Sequence, residues 1–153
     1  MHPITNSLFV GNVEEAKNPP AYVTGLLFVA LEHEIDPPQG ITFLRVPLKE
    51  FGEADPEDLR CAVEWLERSA DSDRLLVCCR AGMGRSVSVV IAYLCCVRGM
   101  RYEEALQLCK ARRPGATPLP YLEKTIQKVQ ELRQMTAGGP SGAAETPAPD
   151  MPT

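Results

Sequence analysis

Residues 75–92 read LLVCCRAGMGRSVSVVIA, and the fold follows from how that run divides. Leu75, Leu76, Val77 and Cys78 form an apolar tetrad of buried-strand length. Gly82 and Gly84 then permit a tight loop, and from Arg85 onward Val87, Val89, Val90, Ile91 and Ala92 are apolar enough for a buried helix. This division leaves Cys79 at the mouth of a strand-loop-helix unit. Five residues separate Cys79 from Arg85, and the glycines among them let backbone N–H groups turn toward one point without an obstructing Cβ. The helix adds free N–H groups and the positive end of its dipole, and Arg85 offers a planar fork that matches two oxygens of one anion. Such an oxyanion cradle favours the thiolate of Cys79, whose unperturbed pKa of about 8.5 leaves it mostly protonated at neutral pH.

The segment CRAGMGRS, from Cys79 to Ser86, resembles the Cys-x5-Arg-Ser/Thr signature of the protein tyrosine phosphatase superfamily, and a short chain with ARRPG at 111–115 resembles its dual-specificity branch. The resemblance extends over residues 4–134. A bare Cys-x5-Arg also occurs in rhodanese-like enzymes and arsenate reductases; the paired glycines, Ser86, the preceding strand and the following helix make the match specific. It implies an α/β fold, a central and mostly parallel β-sheet flanked by α-helices. It also implies two-step hydrolysis of phosphotyrosine, and of phosphoserine or phosphothreonine, through a phosphocysteine. Cys79 is then the nucleophile. Arg85 and the backbone of Arg80, Ala81, Gly82, Met83 and Gly84 hold the phosphate oxygens, and Ser86 donates to the thiolate. Without the resemblance, Ser86 reads as an ordinary first-turn serine and Cys79 as a strand-end cysteine. No cofactor or metal is implied, and the expected partner is a phosphorylated protein met by a monomer.

Three positions depart from the family pattern. Cys78 stands where a His usually precedes the nucleophile, and a thiol is a weaker donor. No Asp occupies the place of the general acid after Pro47; Glu50 is the candidate, with Glu53 and Asp55 as alternatives on the same loop. Leu119 replaces the downstream amide that positions water. These departures keep open a second reading, a phosphate-binding pseudophosphatase, and a third, a phosphatase of phosphoinositides or RNA 5′-phosphates.

Composition narrows the remaining choices. The 153 residues are enough for one domain with a single core, and 44% hydrophobic with 24% charged residues is ordinary for a globular chain. No apolar run reaches the ~18 residues of a membrane span, so no membrane association is expected. The opening MHPITNS lacks a basic segment followed by an apolar one, which points to a cytoplasmic location. Six cysteines, four of them in the adjacent pairs Cys78-Cys79 and Cys95-Cys96, then read as free thiols, and Cys61, Cys95, Cys96 and Cys109 as packing residues. A net charge of −4 argues against nucleic acid. His2 and His33 are the only histidines, too few for a zinc cluster or a Ser-His-Asp set.

Along the chain, residues 7–10 read as a short strand and 13–22 as a loop with one helical turn. Residues 25–31 and 41–46 read as further strands, the second bounded by Pro47. Asp55 as N-cap and Pro56 at the first position open a helix over 56–69, with Leu59, Val63 and Leu66 facing the sheet. The Arg85 helix should end near Gly99. Residues 103–112 and 118–134 read as helices, the first turning Ala105, Leu106 and Cys109 inward. The catalytic domain is thus placed at 1–135. Residues 136–153, rich in Gly, Pro and Ala, read as a disordered tail.

Overall fold

A computed structural model describes residues 1–70 and 73–138. Its centre is the apolar tetrad Leu75–Cys78. Strand β5 (Leu75–Cys78) is fully buried and pairs in parallel with β2 (Leu8–Gly11) on one side and β3 (Gly25–Ala30) on the other. Beyond them lie β1 (His2–Pro3), antiparallel to β2, and β4 (Thr42–Leu48), parallel to β3, giving the order β1-β2-β5-β3-β4. The sheet is therefore mostly parallel, as expected. All six residues of β3 are buried, which explains the unbroken apolar run GLLFVA: a strand covered on both faces has no reason to alternate.

Strand β4 does not stop at Pro47 but runs to Leu48. Proline lacks an N–H to donate, and β4 is an edge strand, where that loss costs no ladder bond. The two-residue β1 was not read from sequence, because two residues carry no periodicity.

Among the described residues five helices complete the fold: α1 (Val13–Lys17), α2 (Pro56–Ser69), α3 (Arg85–Cys96), α4 (Tyr102–Arg112) and α5 (Leu122–Gly138). The Asp55 side chain accepts from the Asp58 N–H at 3.1 Å and Pro56 fills the first turn, so α2 begins where its cap dictates. Its stripe of Leu59, Val63 and Leu66 is wholly buried, each side chain contributing roughly 1.5–3 kcal/mol of transfer free energy. Helix α3 is buried on every side from Arg85 to Cys95, as its largely apolar sequence requires. It packs on β2, β3 and β5 and carries α2, α4 and α5 around it. Gly99, just past its end, adopts φ +72°.

Helix α5 starts at Leu122, later than Pro118, since Pro118 and Pro120 belong to a loop that ends on Tyr121 at φ +58°. It runs on through residues 136–138, and the rest of the expected tail lies outside the described residues. On α4, Ala105 and Cys109 are buried and Leu106 is half-buried. Cys95 and Cys109 are packing residues, whereas Cys61 is exposed: it falls on the outer face of α2. Among the described residues no helix is long and apolar enough to cross a membrane.

Candidate active site

The loop from Cys79 to Gly84 leaves the carboxyl end of β5, where open parallel sheets place their ligand sites. It is clamped from two sides. Toward β2 and α1, the Cys79 N–H donates to the Gly11 carbonyl at 3.3 Å and the Val13 N–H donates to the Arg80 carbonyl at 3.2 Å. Gly82 takes φ +74°, and a Cβ there would lie 2.8 Å from the carbonyl atoms of Gly11, so the position admits only glycine. From the other side, Arg113 Nε donates to the Gly82 carbonyl at 3.1 Å and the Thr117 N–H to that of Met83 at 2.8 Å. The Ser88 hydroxyl donates to the Gly84 carbonyl at 2.7 Å while accepting from the Leu119 N–H at 2.9 Å. With these loop carbonyls taken by the scaffold, the loop N–H groups remain for the interior of the cradle.

Cys79 Sγ lies at the base of that cradle, 3.3 Å from Ser86 Oγ and 2% exposed. Burial pushes its thiol up. The Ser86 hydroxyl, the N–H groups of Ser86 and Gly82 and the Arg85 charge all favour the thiolate, and the balance falls below the ordinary thiol value. The other buried cysteines go the opposite way: Cys78 is pushed well above its ordinary value by burial and by the Glu15 carboxylate, and Cys95 and Cys109 are pushed by burial to about 11 and about 12. Cys78 is wholly buried on the β2 side of the strand, where a Cβ on Gly11 would come within 3.3 Å of its sulfur. It is the small core residue that strand alternation implies. Removal of the hydroxyl in Ser86→Ala should raise the pKa of Cys79, read from the pH profile of iodoacetate inactivation; an unchanged profile would mean that Ser86 contributes nothing to the thiolate.

Arg85, 4% exposed, is gripped by a residue that the sequence reading passed over. Glu32 accepts from Arg85 Nη1 and Nη2 at 2.6 Å each, and the Leu48 carbonyl accepts from Nη1 at 3.0 Å. A guanidinium has five N–H donors. These contacts use both donors of Nη1 and one of Nη2, leaving the Nε edge with one donor on each of two nitrogens, the pair that matches a tetrahedral anion. The hydrogen bonds from Arg85 hold the Glu32 carboxyl down at about 2 against an ordinary 4.5. A depressed carboxyl stabilises the fold above its unfolded pKa, so this anchor is complete above about pH 4.5 and is lost as the pH falls through about 2. Glu32 follows immediately on the β3 run and its turn, a polar residue at the carboxyl end of a buried strand; that position was the available signal.

Glu50 lines the site, whereas Glu53 and Asp55 do not: Asp55 is spent on the α2 cap and Glu53 is exposed. The Glu50 carboxylate pairs with Arg80, and Arg80 Nε is also 3.7 Å from Glu32. Above Cys79 opens a cleft of about 380 Å³ lined by Glu50, Phe51, Met83, Arg85 and, where an amide was missed, Leu119. A thiol disposed to ionise, a two-pronged cation and a carboxylate thus face one small cavity.

The family model described as "Dual specificity phosphatase, catalytic domain" matches residues 8–133. Dual specificity protein phosphatase 15 of Rattus norvegicus is 30% identical over 133 residues, which are 84% of this chain and 56% of that protein. The chain thus spans little more than half the length of that relative. Dual specificity phosphatase 28 of Homo sapiens is 32% identical over 143 residues, 86% of this chain and 78% of that protein. The crystal structure of human DUSP28 superposes with a TM-score of 0.73 at 29% identity, covering 89% of this chain and 99% of that one. With the family model spanning the strand-loop-helix unit and the sheet and helices that hold it, the chain belongs to the dual specificity phosphatase catalytic domain family.

Proposed function

We propose that the chain is a cysteine-dependent phosphatase that hydrolyses phosphotyrosine, and phosphoserine or phosphothreonine, on proteins through a phosphocysteine. The observation that carries this reading is the Cys79 thiol, lowered toward ionisation in contact with Ser86, at the base of the cleft that holds Arg85 and Glu50. The phosphate oxygens take the free edge of Arg85 and the N–H groups of residues 80–85. The Cys79 thiolate attacks phosphorus in line, the S–P bond forming as the P–O bond to the leaving group breaks. Glu50, in its protonated form, gives its proton to the departing oxygen. Water then attacks the phosphocysteine, passing a proton back to the Glu50 carboxylate, and Cys79 leaves as a thiolate stabilised by the Ser86 hydroxyl. Six free cysteines support a reducing, cytoplasmic setting.

Turnover of p-nitrophenyl phosphate in the presence of a chelator tests the activity against a Cys79→Ser control. Glu50→Gln tests the acid. It should slow phosphotyrosine hydrolysis by roughly 10²-fold, and slow phosphoenzyme formation from an activated aryl phosphate much less, because a good leaving group needs no proton. Equal small effects on both substrates would remove Glu50 from the role, and a leaving-group-dependent loss in Glu53→Gln would move the role to Glu53.

A second reading, a phosphate-binding pseudophosphatase, draws on the engagement of Glu50 by Arg80 and on Leu119 in the place of an amide. No release of p-nitrophenol above the Cys79→Ser control would favour it. Phosphoinositide and RNA 5′-phosphate substrates remain as arms of a substrate screen.

A further inference from the structure

The rim of the cleft is apolar where the Cys79 loop ends and charge-cancelled where it does not. Phe51 lines the cleft yet is 81% exposed, and Met83 is 38% exposed. Singly exposed apolar side chains are ordinary, but apolar surface that is contiguous and rimmed by polar groups marks a binding site. Pro118, Leu119 and Pro120 line the cleft as well, so the rim around the thiol offers surface to a ring and few hydrogen bonds. Phe51 is carried between Glu50 and Gly52, whose φ of +89° turns the chain directly after it, and an added Cβ at Gly52 would meet nothing within 4 Å. The turn therefore projects from the body of the domain rather than packing into it.

The charges at the same mouth balance. Arg80 is the one cation of the loop besides Arg85. Its guanidinium pairs with Glu50 and lies 3.7 Å from Glu32, while Glu32 also takes the outer fork of Arg85. Two guanidinium groups thus meet two carboxylates. One phosphate can still use the free Arg85 edge and the loop N–H groups. A second phosphate or an acidic neighbour would find Arg80 already engaged by Glu50 and Glu32, with no unspent cation of the loop to receive it.

On the reading of this cleft as a phosphoester site, we infer that it selects a phosphate carried on an aromatic ring, phosphotyrosine, in a segment without further acidic or phosphorylated neighbours. Phe51 is the specificity-determining side chain. The ring of the substrate lies against Phe51 and the apolar rim while its phosphate occupies the cradle; phosphoserine has no ring to place there, and a phosphoinositide brings further charge that finds Arg80 already engaged.

The test compares four probes: a phosphotyrosine peptide with Ala and Leu flanks, its phosphoserine counterpart, the phosphotyrosine peptide with Asp flanks, and a soluble short-chain phosphatidylinositol monophosphate. The order is read as kcat/KM on the wild-type chain and, independently, as Kd on Cys79→Ser by calorimetry. The neutral phosphotyrosine peptide should rank first in both. Phe51→Ala should lower the tyrosine-to-serine ratio by roughly threefold to tenfold, the range expected for loss of one aromatic pair, and Phe51→Tyr should retain it. An unchanged ratio in Phe51→Ala, or preference for the Asp-flanked peptide or the phosphoinositide, would overturn the inference. Absence of turnover on every probe would defeat the catalytic reading alone, since the Kd order still decides the selectivity.

Discussion

Cys79→Ser should reduce turnover by roughly 10⁴-fold or more, the scale of loss when a covalent nucleophile is removed, and should leave the anion site in place. The reason is electrostatic. The Ser86 hydroxyl, the Gly82 and Ser86 N–H groups and Arg85 lower the pKa of a thiol, but the same dipoles cannot ionise an alcohol. The substitution exchanges sulfur for a smaller oxygen at a site that is 2% exposed, so the loop keeps its Gly11, Arg113 and Thr117 clamps. Vanadate or phosphopeptide should therefore still bind. Turnover in Cys79→Ser within roughly tenfold of wild type, against the loss expected when a covalent nucleophile is removed, would refute a phosphocysteine.

Arg85→Lys should cost roughly 10²-fold to 10³-fold in kcat, comparable to the loss of a preorganised oxyanion donor. The guanidinium performs two tasks at once: its outer fork is locked by Glu32 and the Leu48 carbonyl, and its Nε edge is thereby aimed at the cradle. An ammonium keeps the charge but cannot do both, because it has no second planar edge. With Glu32 at hand, a lysine there would pair with the carboxylate and be drawn from the cradle. Single-turnover kinetics on a phosphotyrosine peptide, with circular dichroism to confirm the fold, measure the loss. Near-normal turnover would contradict the two-edge role of Arg85.

What the sequence made legible was local. Cys79, the glycines, Arg85 and Ser86 lie within one strand-loop-helix unit, so spacing alone placed them around one point. Asp55 and Pro56 announced α2 for the same reason. Glu32 was hidden because its bond to Arg85 spans 53 residues and exists only because β3 lies beside β5 in the sheet. The pairing of Glu50 with Arg80, 30 residues apart, was hidden likewise. Pro47 misled because its compatibility with a strand depends on β4 being at the edge, a property of topology rather than of the segment. The apolar character of Leu119 was visible, but its place in the same cleft as Glu50 and Phe51 required the loop that precedes α5.

The most direct measurement is rapid acid quench of the chain during turnover of a phosphotyrosine peptide, followed by mass spectrometry of the peptide that contains residues 75–92. A single phosphoryl group on Cys79, accumulating within one turnover and absent in Cys79→Ser, is the expected result. Sustained turnover with an unmodified Cys79, or with the phosphoryl group on another residue, would contradict the account.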